Sequence, residues 1–263
     1  MRKTFLSSLI LALLLLAAAA GRAAAAPVGS WRALQSFADI SRIEMGGGRV
    51  FVLASGNIYS YNPNDGEVLT YSKVETMSDN GVAHIAWNAT AKRLMAVYSN
   101  GDIDFIDQSD RVTNLSDYYT KTLTTDKTVN ALDVEGKWVY MCTAFGLVKV
   151  NAAAAEIADT YNLGRNTFGM ASAGGMMFAA TADGLYGASL ADNLTDKGVW
   201  TRKNARAYSR LFYMNGRLYG AGNGFLDVID TSTGAFTQLG NVTFSDLQRL
   251  SDHVVLSGGD RTY

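Results

Sequence analysis

One cysteine, two prolines and two histidines are all that 263 residues offer of the types that staple, kink or ligate. A lone Cys142 excludes a disulfide within the chain. It sits in an apolar stretch, where a small buried residue is expected and not a reactive thiol. His84 and His253 fall in different segments, with no carboxylate or cysteine at ligand spacing, so neither a zinc site nor any other cofactor is expected. Gly-x-Ser-x-Gly and a Ser/His/Asp elbow are both missing. Gly46-Gly47-Gly48 is followed by no Lys-Ser/Thr pair and no helix, so it reads as a hairpin loop and not a phosphate loop. Neither sign of charge dominates, with 23 basic against 24 acidic side chains. No basic run is interleaved with aromatics, which argues against nucleic acid as a partner. Helical periodicity is absent after the first residues, and so is any later apolar run long enough to cross a membrane.

The N-terminus is different. Arg2-Lys3 precedes an apolar run from Leu6 to Ala20, and Ala23-Ala-Ala-Ala26 supplies small residues. This is the pattern of a Sec-type signal peptide over residues 1–25, with cleavage near Ala25 because Pro27 disfavours a cut directly before it. Arg22 interrupts the run, and its length is short for a membrane anchor. No cysteine follows for lipid attachment. Removing Arg2, Lys3 and Arg22 leaves 20 basic against 24 acidic side chains, a formal charge of −4. The product is expected to be exported, to the periplasm or the outer-membrane cell surface.

The rest of the chain, residues 26–263, is organised by repetition. Arg49-Val-Phe-Val-Leu-Ala-Ser-Gly56, Arg93-Leu-Met-Ala-Val-Tyr-Ser-Asn-Gly101 and Trp138-Val-Tyr-Met-Cys-Thr-Ala-Phe-Gly146 share one pattern. So do Met176-Met-Phe-Ala-Ala-Thr-Ala-Asp-Gly184, Arg217-Leu-Tyr-Gly-Ala-Gly-Asn-Gly224 and His253-Val-Val-Leu-Ser-Gly-Gly-Asp-Arg261. The anchors are 45, 45, 38, 40 and 37 residues apart. A period of about 40 residues built from short strands is that of a β-propeller. The fold expected is all-β, with four-stranded blades near 40–79, 80–128, 129–166, 167–206 and 207–242 and a partial sixth at 243–263. The apolar strands, from Phe51, Met95, Tyr140, Phe178, Tyr219 and Val255, are expected to be innermost. Arg261 stands where the other copies have glycine and two residues follow it, so a ring of the seven-bladed type is expected to stay open, with a bare strand edge. With so little proline, turns rest on glycine and Asn/Asp; Asn100-Gly101 reads as a tight hairpin turn with positive φ at both residues.

Asp102, Asp104 and Asp107 are the densest group of carboxylates. Three acids could bind calcium or act as an acid/base pair, but the glycine and spacing of a calcium loop are lacking. A solvated blade face is the expected role, with Asp102 the acid on which an enzymatic reading would be tested. Asp126 and Asp133 read as ordinary surface acids. Tyr118, Tyr119 and Trp200 are expected to pack between blades, and the sequons at Asn88, Asn114, Asn193 and Asn241 are weak pattern matches. No catalytic, metal or cofactor residue is assigned, and the chain is not expected to be an enzyme.

Several longer words resemble a known family. They are Gly29-Ser-Trp-Arg32, Ile40-Ser-Arg-Ile43, Ser60-Tyr61, Asp65-Gly66, Thr70-Tyr-Ser-Lys73 and Ala96-Val-Tyr-Ser-Asn-Gly-Asp-Ile-Asp104. Asp126-Lys-Thr-Val-Asn130, Phe145-Gly-Leu-Val148 and Glu156-Ile-Ala-Asp-Thr-Tyr161 through Gly164 extend them. Over about residues 29–164 the chain resembles PorZ proteins, accessory proteins of the type IX secretion system in Bacteroidota. The resemblance implies two propellers and a C-terminal sorting domain in a whole protein. It also implies membership of a cell-surface attachment complex with a sortase-like protease and an outer-membrane shuttle barrel, and handling of anionic lipopolysaccharide. Met77-Ser-Asp-Asn80 with Ile85 is similar instead to sensor propellers of hybrid two-component regulators, which leaves an extracytoplasmic ligand sensor as the alternative.

Overall fold

Short runs of β-branched and aromatic residues separated by glycine and Asx turns favour antiparallel meanders over helices. The computed structural model describes residues 33–122, 124–244, 246–249, 254–258 and 261–262. The segment expected to be a signal peptide, residues 29–32 and His253 lie outside the described residues. The first blade comprises β1 (Ile40–Gly46), β2 (Arg49–Ala54), β3 (Asn57–Tyr61) and β4 (Val68–Tyr71). The second comprises β5 (Val82–Asn88), β6 (Arg93–Tyr98), β7 (Ile103–Asp107) and β8 (Val112–Leu115), followed by a single helical turn, α1 (Asp117–Thr120). The third holds β9 (Val129–Glu135), β10 (Trp138–Thr143), β11 (Gly146–Asn151) and β12 (Glu156–Asn162). The fourth holds β13 (Thr167–Ala173), β14 (Met176–Thr181), β15 (Gly184–Ser189) and β16 (Thr201–Asn204). The fifth holds β17 (Arg210–Met214), β18 (Arg217–Gly222), β19 (Phe225–Ile229) and β20 (Phe236–Gly240). A three-stranded sheet, β21 (Asp246–Arg249), β22 (Val254–Gly258) and β23 (Arg261–Thr262), is the part of a sixth blade among the described residues.

Within every sheet the strands are ordered as in sequence and pair antiparallel. The all-β blade architecture expected from the repeat is therefore what forms. One assignment changes. The strands that meet their counterparts in neighbouring blades around the axis are the first of each sheet, β1, β5, β9, β13 and β17, not the apolar second ones. The reason lies in what each strand faces. In β6, Leu94, Ala96 and Tyr98 pack toward blade one with Phe51, Leu53 and Ile58. Met95 and Val97, on the opposite face of the same strand, pack toward blade three with Val139, Met141 and Val148. Both faces are covered, so the strand reads as an unbroken apolar run. β10 does the same: Met141 joins the cluster shared with blade two, while Tyr140 and Cys142 join Met177, Ala179 and Tyr186 of blade four.

Glycines set two close approaches. A Cβ on Gly46 would lie 2.0 Å from the Trp87 ring, which stacks on Phe51 at 5.6 Å between centroids. A Cβ on Gly146, at φ 152°, would lie 2.1 Å from the Tyr161 carbonyl. Gly47 and Gly48 complete the β1–β2 hairpin at φ 61° and 80°, as the glycine run predicts. The Asn100-Gly101 turn differs from expectation. Only Gly101 has positive φ, at 90°, and its N–H donates to the Tyr98 carbonyl at 2.9 Å. This is a longer hairpin loop that ends on a left-handed glycine, so Asn100 need not take positive φ.

A β-bulge recurs near the start of the first strand in each of the first four blades. It falls between Ile40 and Arg42, Val82 and His84, Val129 and Ala131, and Thr167 and Gly169. A bulge bends its strand and re-aims the side chains that follow. Here the residues re-aimed include Arg42 and His84.

Candidate functional site

The first strands converge on two axial cavities, both bounded by Arg42 and Leu132. The larger, about 420 Å³, is lined by Arg42 and Glu44 of β1, Trp87 of β5, Asp133 and Glu135 of β9, Ser172 of β13 and Tyr213 of β17, among others. The smaller, about 230 Å³, lies toward the starts of these strands and is lined by Arg42, His84 and Arg210 together with small and apolar residues.

First strands of neighbouring blades belong to separate sheets, so no backbone ladder joins them. Side chains do so instead. His84 Nε2 lies 2.8 Å from the Val129 carbonyl, joining blades two and three. Asp133 accepts from the Met170 backbone N–H at 2.7 Å, and Ser172 Oγ donates to Glu135 at 2.8 Å, joining blades three and four. Arg210 Nη1 donates to the Phe168 carbonyl at 3.4 Å, from blade five to blade four. Glu44 accepts from Trp87 N at 3.3 Å, and Arg42 Nη1 donates to the Leu247 carbonyl at 3.0 Å, tying blade one to blade two and to the sixth sheet. Arg42 also pairs with Glu44 at 2.7 Å.

Burial shapes the electrostatics of this axis. Desolvation holds His84 below the ordinary imidazole pKa, although its bond to the Val129 carbonyl acts the other way. Asp133 is pushed above the usual carboxylate range, again by burial first, with the Met170 N–H opposing. Its neighbour Cys142, 3.5 Å away as a thiol donor, is raised well above its ordinary value. A buried thiol of raised pKa is inert, as the apolar setting of Cys142 predicts.

Of the acids singled out by sequence, Asp133 reaches this axis, where burial and the Met170 N–H replace the surface role expected of it, whereas Asp102, Asp104 and Asp107 do not. Asp104 is fully buried and Asp102 nearly so, against the solvated face expected of them. Asp104 accepts from Ser78 N at 2.8 Å, Ser78 Oγ at 2.7 Å, Tyr98 Oη at 2.5 Å and Asn114 Nδ2 at 3.0 Å. Asp102 accepts from Asn114 Nδ2 and from Ile103 N. The correction has a plain cause: the connection between blades one and two folds back over β7 and brings Ser78 onto Asp104. Asp107 instead closes a turn, accepting from Ser109 N and Arg111 N. Asp126 does likewise, accepting from Thr128. Asn88 is fully buried and Asn114 is held by the two aspartates, so neither is an open sequon. Tyr118 and Trp200 are packed as expected, whereas Tyr119 is half exposed. Among the described residues no three His, Cys, Asp or Glu side chains group as metal ligands, and no helix is long and apolar enough to cross a membrane.

Arg42, Glu44, Glu135 and Arg210 were not singled out from the sequence. Their one signal was position: charged residues in the strand directly before each apolar strand.

An array of four-stranded blades around a polar axis defines a β-propeller. The sequence model of the family described as TSS9, PorZ, N-terminal beta-propeller domain matches residues 50–201, and the chain belongs to this family. In structure it is similar to PorZ, described as an essential bacterial surface component of the type IX secretion system of Porphyromonas gingivalis. The TM-score is 0.81 at 23% identity, covering 89% of this chain and 32% of that one. It is also similar to the extracellular domain assigned to a hybrid two-component system of B. thetaiotaomicron, at TM-score 0.64 and 16% identity, covering 84% and 32%. The chain thus spans about a third of the length of either protein. Among curated proteins no relative matches.

Proposed function

We propose that this chain is a non-enzymatic propeller module of a type IX secretion system attachment-complex protein. In this reading residues 1–25 are a signal peptide and 26–263 the N-terminal propeller, and the protein works at the periplasmic or outer-membrane surface. It supports secretion and surface attachment, with a sortase-like protease and an outer-membrane shuttle barrel as partners and anionic lipopolysaccharide as a ligand. The observation that carries the reading is the family match over residues 50–201. Some of the words that resembled the family are structural parts within that span. Tyr98 and Asp104 share one buried network with Ser78. Lys127 closes the end of α1 by donating to the Tyr118, Tyr119 and Lys121 carbonyls. Rigid blades presenting loops on two faces suit binding without chemistry.

Affinity capture of the full protein from detergent-solubilised outer membranes tests this. Co-purification of the sortase-like protease and of anionic lipopolysaccharide is the expected outcome. Absence of both from a correctly exported protein overturns it. The second reading, an extracytoplasmic sensor, draws on the likeness to the two-component extracellular domain. A membrane span and kinase encoded downstream in the same gene would favour it over a second propeller and a sorting domain.

A further inference from the structure

We propose that the smaller axial cavity, bounded by Arg42, His84 and Arg210, is a binding site for a compact oxyanion: a phosphate, sulfate or carboxylate group. Arg210 carries the argument. Its guanidinium is half-buried, and among the described residues its hydrogen bonds go to the Ser209 carbonyl at 2.8 Å and the Phe168 carbonyl at 3.4 Å, both from Nη1. No carboxylate lies within 4.0 Å of it among the described residues. Arginine has five N–H donors, and the Nε–Nη2 edge left over is the one that grips a carboxylate or phosphate with two parallel bonds.

His84 lines the same cavity from β5. A carbonyl can only accept, so the 2.8 Å contact with Val129 places the hydrogen on Nε2 and leaves Nδ1 as the atom that takes up a proton. Arg210 and Arg42 are both close enough to oppose protonation of His84, and both also act on the carboxylate of Asp133, which offsets part of their charge. The contribution of Arg42 here is its charge, since its N–H groups already serve Glu44 and Leu247. One oxygen of the nearby carboxylate Asp133 is already engaged, accepting from the Met170 N–H and the Cys142 thiol. At about 230 Å³ the space admits a phosphate-sized group. A bound anion would face two guanidiniums and an imidazole made more basic by its presence.

The site stands on this geometry and not on the lipopolysaccharide reading. Isothermal titration of the full chain with inorganic phosphate is expected to show one saturable site, and a parallel titration with glucuronate tells phosphoryl from carboxylate preference. Arg210→Met should weaken binding at least tenfold, whereas Lys121→Gln, on the exposed surface, should not change it. The chain has two histidines, so a His253→Gln background leaves His84 as the single imidazole signal in NMR. That signal should shift with phosphate in step with the heat, and this readout holds even if Arg210→Met fails to fold. Unsaturable heats with both probes, unchanged affinity in a folded Arg210→Met, or a His84 resonance that ignores phosphate would overturn the site. If phosphate binding is lost in Arg210→Met while lipopolysaccharide capture persists, the cavity stands and the lipopolysaccharide contact lies elsewhere.

Discussion

The second strand of each blade and the first strand beside it share a hydrogen-bonded ladder, yet they are built on opposite terms. Along β6 the five residues from Leu94 to Tyr98 are all buried, alternately against the blade before and the blade after. Along β9 only Ala131 is fully buried, and the remaining residues are partly exposed to the axis or its rims. Interdigitated apolar faces hold the second strands. First strands share in these clusters through residues such as Ile85, Met170 and Leu211, and individual polar bonds add the contacts between neighbouring first strands. Apolar burial is therefore concentrated between the blades, and the axis adds single polar joints to it.

That contrast can be broken at its strongest point. Asp104→Ala removes a fully buried carboxylate that accepts from Ser78 N, Ser78 Oγ, Tyr98 Oη and Asn114 Nδ2. Asn114 keeps Asp102 as an acceptor, so at roughly 1.5 kcal/mol for each remaining bond to the carboxylate the expected loss is about 4 kcal/mol, measured by urea denaturation of the full chain. A loss under about 1 kcal/mol would show that water replaces the carboxylate and that the network is not a support. Met141→Ala, at a fully buried position of β10, should cost about 3 kcal/mol, in the range for Met-to-Ala core substitutions. The smallest change belongs to the axis: Ser172→Ala removes one partly solvated bond to Glu135, and about 0.5–1 kcal/mol is expected. If the axial variant were as damaging as the Met141 variant, the division of labour drawn above would be wrong.

Titration sharpens the same comparison without any change in magnitude of packing. Burial raises Tyr71 and Tyr161, both packed between blades, to about 12. The folded state thus favours the neutral phenol. Its contribution is complete below the unfolded value of about 10 and is lost as pH rises through the folded one. Stability should hold up to pH 10 and fall from there toward about 12. The decline should be shallower in Tyr71→Phe. His84, at the axis, is depressed instead, so its contribution is present above the ordinary imidazole pKa and is lost as pH falls through the lowered one. An alkaline limb that is identical in Tyr71→Phe would remove the tyrosines as its cause.

The blades were legible in the sequence because their apolar second strands and the turns after them repeat with few changes. The axis was not, for two physical reasons. A strand covered on both faces looks like the deepest part of a propeller, and so Phe51, Met95 and Tyr140 were placed innermost. The strands that line the axis face a polar cavity, and their charged residues, Arg42, Glu44, Glu135 and Arg210, follow no shared motif. Asp102 and Asp104 misled in the other direction. The burial of Asp104 goes with a contact from Ser78, 26 positions away, and no local pattern announces that visit.

The blade-to-blade joints at the axis carry a last consequence. A joint made by one side chain on a neighbouring backbone, such as His84 on Val129 or Asp133 on Met170, can be exchanged without a matching change across the seam, because every residue type presents the same amide there. Each seam of this protein can drift on its own. A lineage could loosen one pair of blades, or recruit one axial residue for a ligand, by a single codon change while the rest of the wheel keeps its shape.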